Sequence, residues 1–338
     1  VAAHSAGVLD IKTTILPDAD ALFLTAIDRY GHELWRWTFP VNKLNQQTEQ
    51  LSPLSSRPAY TETENELTVK ANKRTFIFSK KDGQLKGVSV DNRKISFANG
   101  PRFIGARRAD RSLDQFYNHD DEKAKEKDRT YSEFPDAAVF TKLDVKEDGG
   151  NLVVTANYKL GNLDKAQWTI NPSGELALDY TYNFSGVVDL MGIRFDYPED
   201  QVISKRWLGA GPYRVWQNRI HGTQYDVWEN DYNDPIPGET FTYPEFKGYF
   251  GDVSWMNIQT KEGTISLTNE TPDAYIGVYQ PRDGRDRLLY TLPESGISVL
   301  NVIPPVRNKV NSTDLCGPSS QPKWVNGPQT GRVIFRFM

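Results

Sequence analysis

Short segments in which apolar and polar residues alternate recur along most of the chain, and they constrain its fold more than any other feature. Residues 67–71 (LTVKA) show this alternation, and Asp82-Gly83 marks a hairpin turn after residues 74–79 (RTFIFS). Further predicted strands are 84–90, 94–98, 139–145, 151–160, 165–170, 175–185, 189–197, 253–260, 264–269, 275–280, 296–307 and 332–338. Because no helical segments alternate with these strands, the sequence predicts an all-β protein built on a large antiparallel β-sandwich.

Length and charge restrict the partners that this chain can have. Its 338 residues provide for one large domain or two medium ones. The net charge is −4 and no basic stripe is present, so we do not expect nucleic acid as a partner. No apolar run approaches the length of about 20 residues that a membrane helix needs. We therefore expect no membrane partner.

Cofactor and metal motifs are missing from the sequence. Gly209-Ala-Gly211 is followed by Pro212, which has no N–H for a phosphate, so a dinucleotide site is excluded. The four histidines are scattered, and the single cysteine, Cys316, excludes an internal disulfide and a multi-cysteine metal site. We expect neither a cofactor nor a bound metal.

The first 62 residues differ from the rest. Residues 8–16, 21–27 and 33–39 read as three strands, too few for a whole immunoglobulin-like domain. We predict a partial immunoglobulin-like segment at 1–41, a polar linker at 42–62 and the sandwich at 63–338. The missing initiator methionine suggests that the chain is a piece of a longer protein.

Residues 207–228 concentrate three tryptophans, two tyrosines and two arginines around a predicted sharp turn at Gly209, Gly211 and Pro212. Trp207 and Trp228 bracket the stretch and are predicted to be core residues. Within it, aromatic and multidentate polar side chains are of the kind that hold sugars. These candidates are Arg214, Trp216, Asn218 and Arg219, with Trp216 open to either a core or a sugar-binding role.

The same stretch resembles a signature of family 2 β-galactosidases. Gly209-Ala-Gly211-Pro212, followed by Trp216 and Asn218-Arg219, is similar to the G-x-G-P…Y-x-D-R pattern of their C-terminal domain, which has the galactose mutarotase-like sandwich fold. Residues 243–248 (YPEFKG) resemble that family's Y-x-x-P-Q-E-x-G segment, which adds Glu245 as a sugar-binding candidate. An immunoglobulin-like module precedes the sandwich in the family.

The resemblance implies a non-catalytic accessory region that shapes an active-site cleft and binds carbohydrate. The family's catalytic glutamates lie in a (β/α)₈ barrel, which this chain lacks, so we predict no catalytic residue here and a barrel domain as partner. In the family, a tryptophan reaches back into the barrel where Cys316 stands, and Trp324 could replace it. The expected location is the periplasm or the exterior of a bacterial cell.

Two alternatives stay open. An aldose 1-epimerase shares the fold, and its acid and base would be His221 and Glu245. His221 is placed on a predicted strand in that reading. The other alternative is a purely structural domain, in which the same side chains hold a neighbouring domain rather than a sugar.

Overall fold

The computed structural model describes residues 4–8, 10, 12, 14, 19–41, 56–108, 131–231, 248–278, 293, 295–305 and 318–338. The chain divides into two compact units, Val1–Gln47 and Thr48–Met338. Within the described residues, the structure contains strands and two short 3₁₀ turns, Glu199–Gln201 and Pro318–Ser320, and no α-helix. The predicted all-β fold class is confirmed.

The first unit contains a β-hairpin of β1 (Ala21–Ile27) and β2 (Glu33–Pro40). In its turn, the Asp28 carboxylate accepts hydrogen bonds from the backbone N–H groups of His32 at 2.9 Å and Tyr30 at 2.8 Å, which lower its pKa. Two of the three predicted strands are therefore confirmed. The third, residues 8–16, lies largely outside the described residues, and the described positions within it are not strand.

The second unit consists of two large sheets. In the part of the chain that the structure describes, the first sheet has ten strands. They are β3 (Ala59–Glu62), β4 (Glu66–Ala71), β5 (Arg74–Ser79), β6 (Leu85–Val90), β7 (Arg93–Ile95), β8 (Ala98–Arg108), β9 (Tyr131–Glu133), β14 (Leu190–Asp196), β19 (Tyr275–Val278) and β20 (Ile297–Val302).

The second sheet has nine strands among the described residues, in the order β10-β11-β12-β13-β21-β18-β17-β15-β16, and every pairing is antiparallel. They are β10 (Val139–Asp148), β11 (Asn151–Lys159), β12 (Leu163–Ile170), β13 (Leu176–Val188), β15 (Val202–Gly211), β16 (Gln224–Asp231), β17 (Trp255–Thr260), β18 (Gly263–Asn269) and β21 (Lys323–Phe337).

Aromatic side chains fill the space between the two sheets. The Phe97 ring stacks on Phe195 with centroids 4.7 Å apart and meets Phe335 of the nine-stranded sheet at 5.0 Å. Trp168 on β12 packs edge-on against Phe195 at 6.0 Å. Each such fully buried side chain contributes roughly 1.5–3 kcal/mol through removal of apolar surface from water. The apolar side chains that alternate along the strands thus pack between the two sheets as one core.

Polar contacts also connect the two sheets at one end. Glu262, in the turn between β17 and β18, accepts hydrogen bonds from the Ser96 hydroxyl at 2.6 Å, the Ser96 N–H at 2.9 Å and the Tyr197 hydroxyl at 3.0 Å. Burial raises the pKa of Tyr197, so its hydroxyl keeps the proton that it donates. The buried Arg74 donates from Nε to the Phe337 carbonyl at 2.9 Å.

The structure extends the predicted set of strands. β15, β16 and the first half of β21 were not predicted, and glycine or proline interrupts the alternation in β15 and β21. Ala59–Glu62, placed in the predicted linker, forms β3 at the sheet edge, since Tyr60 and Thr61 favour extended backbone. Residues 42–55 of that linker lie outside the described residues.

Candidate functional site

Gly209 and Gly211 allow close packing and do not form the predicted turn. Both lie on β15, which continues to Gly211 before Pro212 ends it. A side chain on Gly209 would meet the Gly251 carbonyl at 3.0 Å, and one on Gly211 would meet the Trp228 ring at 2.4 Å. Glycine is therefore needed here for the approach of neighbouring strands rather than for a bend.

Trp216 is a core residue, and its proposed role as a sugar platform is not supported. Its side chain is 1% exposed, and its ring meets Tyr249 edge-on with centroids 5.6 Å apart. Both rings belong to a hydrophobic cluster with Ile104 and Leu300 of the ten-stranded sheet. A sugar needs an open ring face, which a ring at this burial cannot offer.

Arg214 and Trp207 are buried as well. Arg214 is 4% exposed and its guanidinium lies 5.6 Å from the centroid of the Phe250 ring. Trp207 is fully buried against the same ring, at 4.9 Å, as the sequence predicted for a core residue. Trp228 is partly buried and packs against the main core. The aromatic stretch is thus largely an anchor rather than an exposed surface.

The chain after this anchor forms a tight turn at residues 216–219. The Arg219 N–H donates to the Trp216 carbonyl at 2.8 Å, and the Trp216 N–H donates back at 3.4 Å. Asn218 is half-buried and Arg219 is exposed. Of the five predicted sugar-binding residues, the structure therefore brings Asn218 and Arg219 to the surface, places two below it, and leaves Glu245 outside the described residues.

Gln217 connects this turn to two other segments, one after β20 and one just before β21. Its N–H donates to the Pro304 carbonyl at 3.1 Å, and its Nε2 donates to the Gln321 carbonyl at 2.7 Å. Sequence reasoning missed Gln217, because nothing in a single glutamine indicates a bond to a segment about a hundred residues later. Residues 217–219 and 321–326, joined by this bond, are called the rim below.

Trp324 is the exposed aromatic side chain of the rim. It is 69% exposed and lies on the part of β21 that pairs with β13. Its cross-strand partner is Val187, and two positions farther along Ser185 donates a hydrogen bond to the Asn326 side chain at 3.0 Å. Because side chains alternate across a strand, the indole of Trp324 and the amide of Asn326 lie on one face.

The acid–base pair expected for an epimerase is not assembled in the described residues. His221 is exposed and lies in a turn, not on the predicted strand, because Gly222 beside it has a φ of +94°. The other member, Glu245, lies outside the described residues. No group of three or more His, Cys, Asp or Glu side chains in the described part could hold a metal ion. Among the same residues, no helix could span a membrane.

The family described as beta galactosidase small chain matches residues 70–304. No curated protein matches the sequence. The chain is similar to the solved structure of galactose 1-epimerase from Lactobacillus acidophilus, with 10% identity, a TM-score of 0.46, and coverage of 84% of this chain and 99% of that one. It is also similar to a GalM/aldose epimerase homologue from C. elegans, with 8% identity, a TM-score of 0.38, and coverage of 83% and 99%.

Proposed function

The chain belongs to the beta galactosidase small chain family, and from this premise we propose that it is the non-catalytic accessory region of a β-galactosidase-like glycoside hydrolase. In this proposal it shapes the active-site cleft of a catalytic barrel and contacts carbohydrate through the rim. The observation that supports it most is the exposed indole of Trp324, which lies three residues after Gln321, the residue whose carbonyl accepts the hydrogen bond from Gln217.

The side chains of the rim suit a sugar. The flat indole of Trp324 offers its face to the apolar C–H surface of a pyranose, while Asn326 beside it offers an amide donor and acceptor for hydroxyl groups. Arg219 adds a donor at the exposed end of the turn. An aromatic platform with an amide on the same face of the strand suits a carbohydrate contact.

The buried anchor beneath the rim supports the same proposal. Trp216, Arg214 and Val215 are each less than 5% exposed, and Val215 exchanges backbone hydrogen bonds with Tyr249 at 2.7 and 2.8 Å. Such packing fixes the turn before any ligand arrives, which lowers the entropy cost of binding. The proposed partners are a carbohydrate and the catalytic barrel domain, in the periplasm or outside a bacterial cell.

Titration with sugars tests this proposal. We expect saturable binding of galactose or β-galactoside oligosaccharides, followed by calorimetry and tryptophan fluorescence. Trp324→Ala should weaken that binding at least about tenfold, or about 1.4 kcal/mol. The matched control is Trp35→Ala, a similarly exposed tryptophan (50%) on the hairpin of the first unit.

Two results would contradict the proposal. Equal binding by Trp324→Ala and the unmodified protein would remove the rim from carbohydrate recognition. Absence of binding to every sugar would leave the purely structural role. That role could then be examined by joining the chain to a catalytic barrel and measuring activity.

A further inference from the structure

A polar pocket lies on the nine-stranded sheet, away from the rim. Its volume is about 290 Å³, and it is lined by residues from three adjacent strands and the segment after β18. Asp179 and Thr181 of β13 and Thr330 of β21 belong to this lining. Along β21, Thr330 is six residues from Trp324, or roughly 20 Å at about 3.3 Å per residue. The pocket and the rim are therefore separate places.

An arginine holds two carboxylates in place at the pocket. Arg332 Nη1 lies 2.5 Å from Asp179 Oδ2, and its Nε lies 3.0 Å from Glu270 Oε2. Burial alone would lower the pKa of Arg332, but the hydrogen bond that it donates to Asp179 and the charges of both carboxylates raise it. The Thr271 hydroxyl fixes the Arg332 backbone, since it donates to its carbonyl at 3.0 Å and accepts from its N–H at 2.9 Å.

Other polar groups of the pocket are not engaged within the described structure. The ammonium of Lys165 and the hydroxyls of Thr181 and Thr330 form no side-chain hydrogen bond or ion pair with any described residue. Thr181 and Thr330 are direct cross-strand partners, so their side chains lie side by side. Each carboxylate also has a second oxygen beyond the one that faces Arg332. The pocket therefore presents both donors and acceptors.

The positive and negative side chains that line the pocket balance each other, which favours an uncharged ligand. Lys165 and Arg332 supply two positive charges, and Asp179 and Glu270 supply two negative charges, so the lining is neutral in sum. A neutral set of mixed donors and acceptors gives no net attraction to an anion or a cation, whereas hydroxyl groups satisfy both kinds of partner. A volume of about 290 Å³ is at the low end for small-molecule sites, roughly 300–1,000 Å³.

We propose that this pocket binds one neutral polyhydroxylated unit of monosaccharide size, as a second site independent of the rim. The carboxylates held by Arg332 accept hydrogen bonds from neighbouring hydroxyls of the ligand. Lys165 on β12, Thr181 on β13 and Thr330 on β21 complete the recognition. Because these side chains come from the middle of a sheet, the site is preformed.

Residue-resolved NMR with D-galactose as the probe tests this second site. The titration uses the full chain carrying Trp324→Ala, so that the rim does not contribute. We expect saturable shifts of the Thr181 and Gly331 amide signals. The paired change Thr181→Val with Thr330→Val keeps the shape and β-branching of both side chains, and should weaken the binding at least fivefold. Lys165→Met should weaken it as well.

Several outcomes would overturn the proposal. These are the absence of shifts at Thr181 and Gly331, unchanged affinity in the valine pair, or stronger binding of inorganic phosphate than of galactose. Thermal melting of each variant shows whether it remains folded. The rim is tested by sugar titration of Trp324→Ala against Trp35→Ala, and the pocket by the NMR signals of Thr181 and Gly331. A negative result at one site is therefore distinguished from a negative result at the other.

Discussion

Trp216, in the buried anchor, and Trp324, on the rim, have opposite environments. Trp216 is 1% exposed and packs against Tyr249 in a hydrophobic cluster that includes residues of the ten-stranded sheet. Trp324 is 69% exposed on the paired strands β13 and β21. The Trp216 ring is packed entirely against other side chains of the protein, whereas most of the Trp324 ring is accessible to a ligand. Identical side chains thus serve stability in one place and contact in the other.

The largest effect is expected at the buried tryptophan. Trp216→Ala should lower the free energy of unfolding by about 3–5 kcal/mol, because it removes a large ring and leaves a cavity among packed side chains. Urea denaturation followed by circular dichroism measures this change. A loss below about 1 kcal/mol would mean that Trp216 is not an anchor and would remove the contrast with Trp324.

The next largest difference in stability is expected between alanine substitutions at two glycines, Gly248 and Gly327. A Cβ on Gly248 would lie 2.1 Å from the Val215 carbonyl, so Gly248→Ala should destabilise by about 1–3 kcal/mol through overpacking of the anchor. Gly327, near Trp324, has no atom within 4 Å of an added Cβ, although its φ is +98°. Gly327→Ala should therefore cost only the backbone strain, about 1 kcal/mol. Equal melting temperatures of the two variants would contradict this difference.

A smaller effect is expected at the bond that joins the two halves of the rim. Gln217→Ala removes the donor to the Gln321 carbonyl and should cost about 1 kcal/mol of stability. We also expect weaker sugar binding than in the unmodified protein, since the two segments of the rim would lose the side-chain bond that joins them. Calorimetric titration and thermal melting measure the two effects. Unchanged sugar affinity would show that the halves act separately.

The smallest change in stability is expected at Trp324 itself. Trp324→Ala should alter the free energy of unfolding by less than about 0.5 kcal/mol, because the ring is largely in water already. Denaturation in urea beside Trp216→Ala measures the contrast directly. If Trp324→Ala destabilised the protein as strongly as Trp216→Ala, the exposed indole would be a structural residue.

The sequence predicts the fold class well and the site only in part. Alternation places each side chain on one of two faces, and it identified the core positions of residues 67–71 and 165–170. Whether a face is covered depends on segments far away in the chain. Trp216 is covered because Ile104 and Leu300 come to lie beneath it, and neither is near it in sequence.

Backbone details were harder to predict for a related reason. The pattern Gly209-Ala-Gly211-Pro212 indicates either a turn or a close approach of strands, and both need small residues. The structure shows a close approach, because Gly251 packs against Gly209 and the Trp228 ring packs against Gly211. The exposed position of Trp324 depends on the length of β21, which continues through Gly327 and Pro328 where local preference favours a loop.

The position of β21 has a consequence for how the protein is made. This strand follows every other described strand in the sequence, yet it lies between β13 and β18 inside the nine-stranded sheet. During synthesis on the ribosome, β13 and β18 therefore remain as two open edges until β21 emerges. Open edges invite pairing with other chains, so these two strands depend on β21 for protection from aggregation.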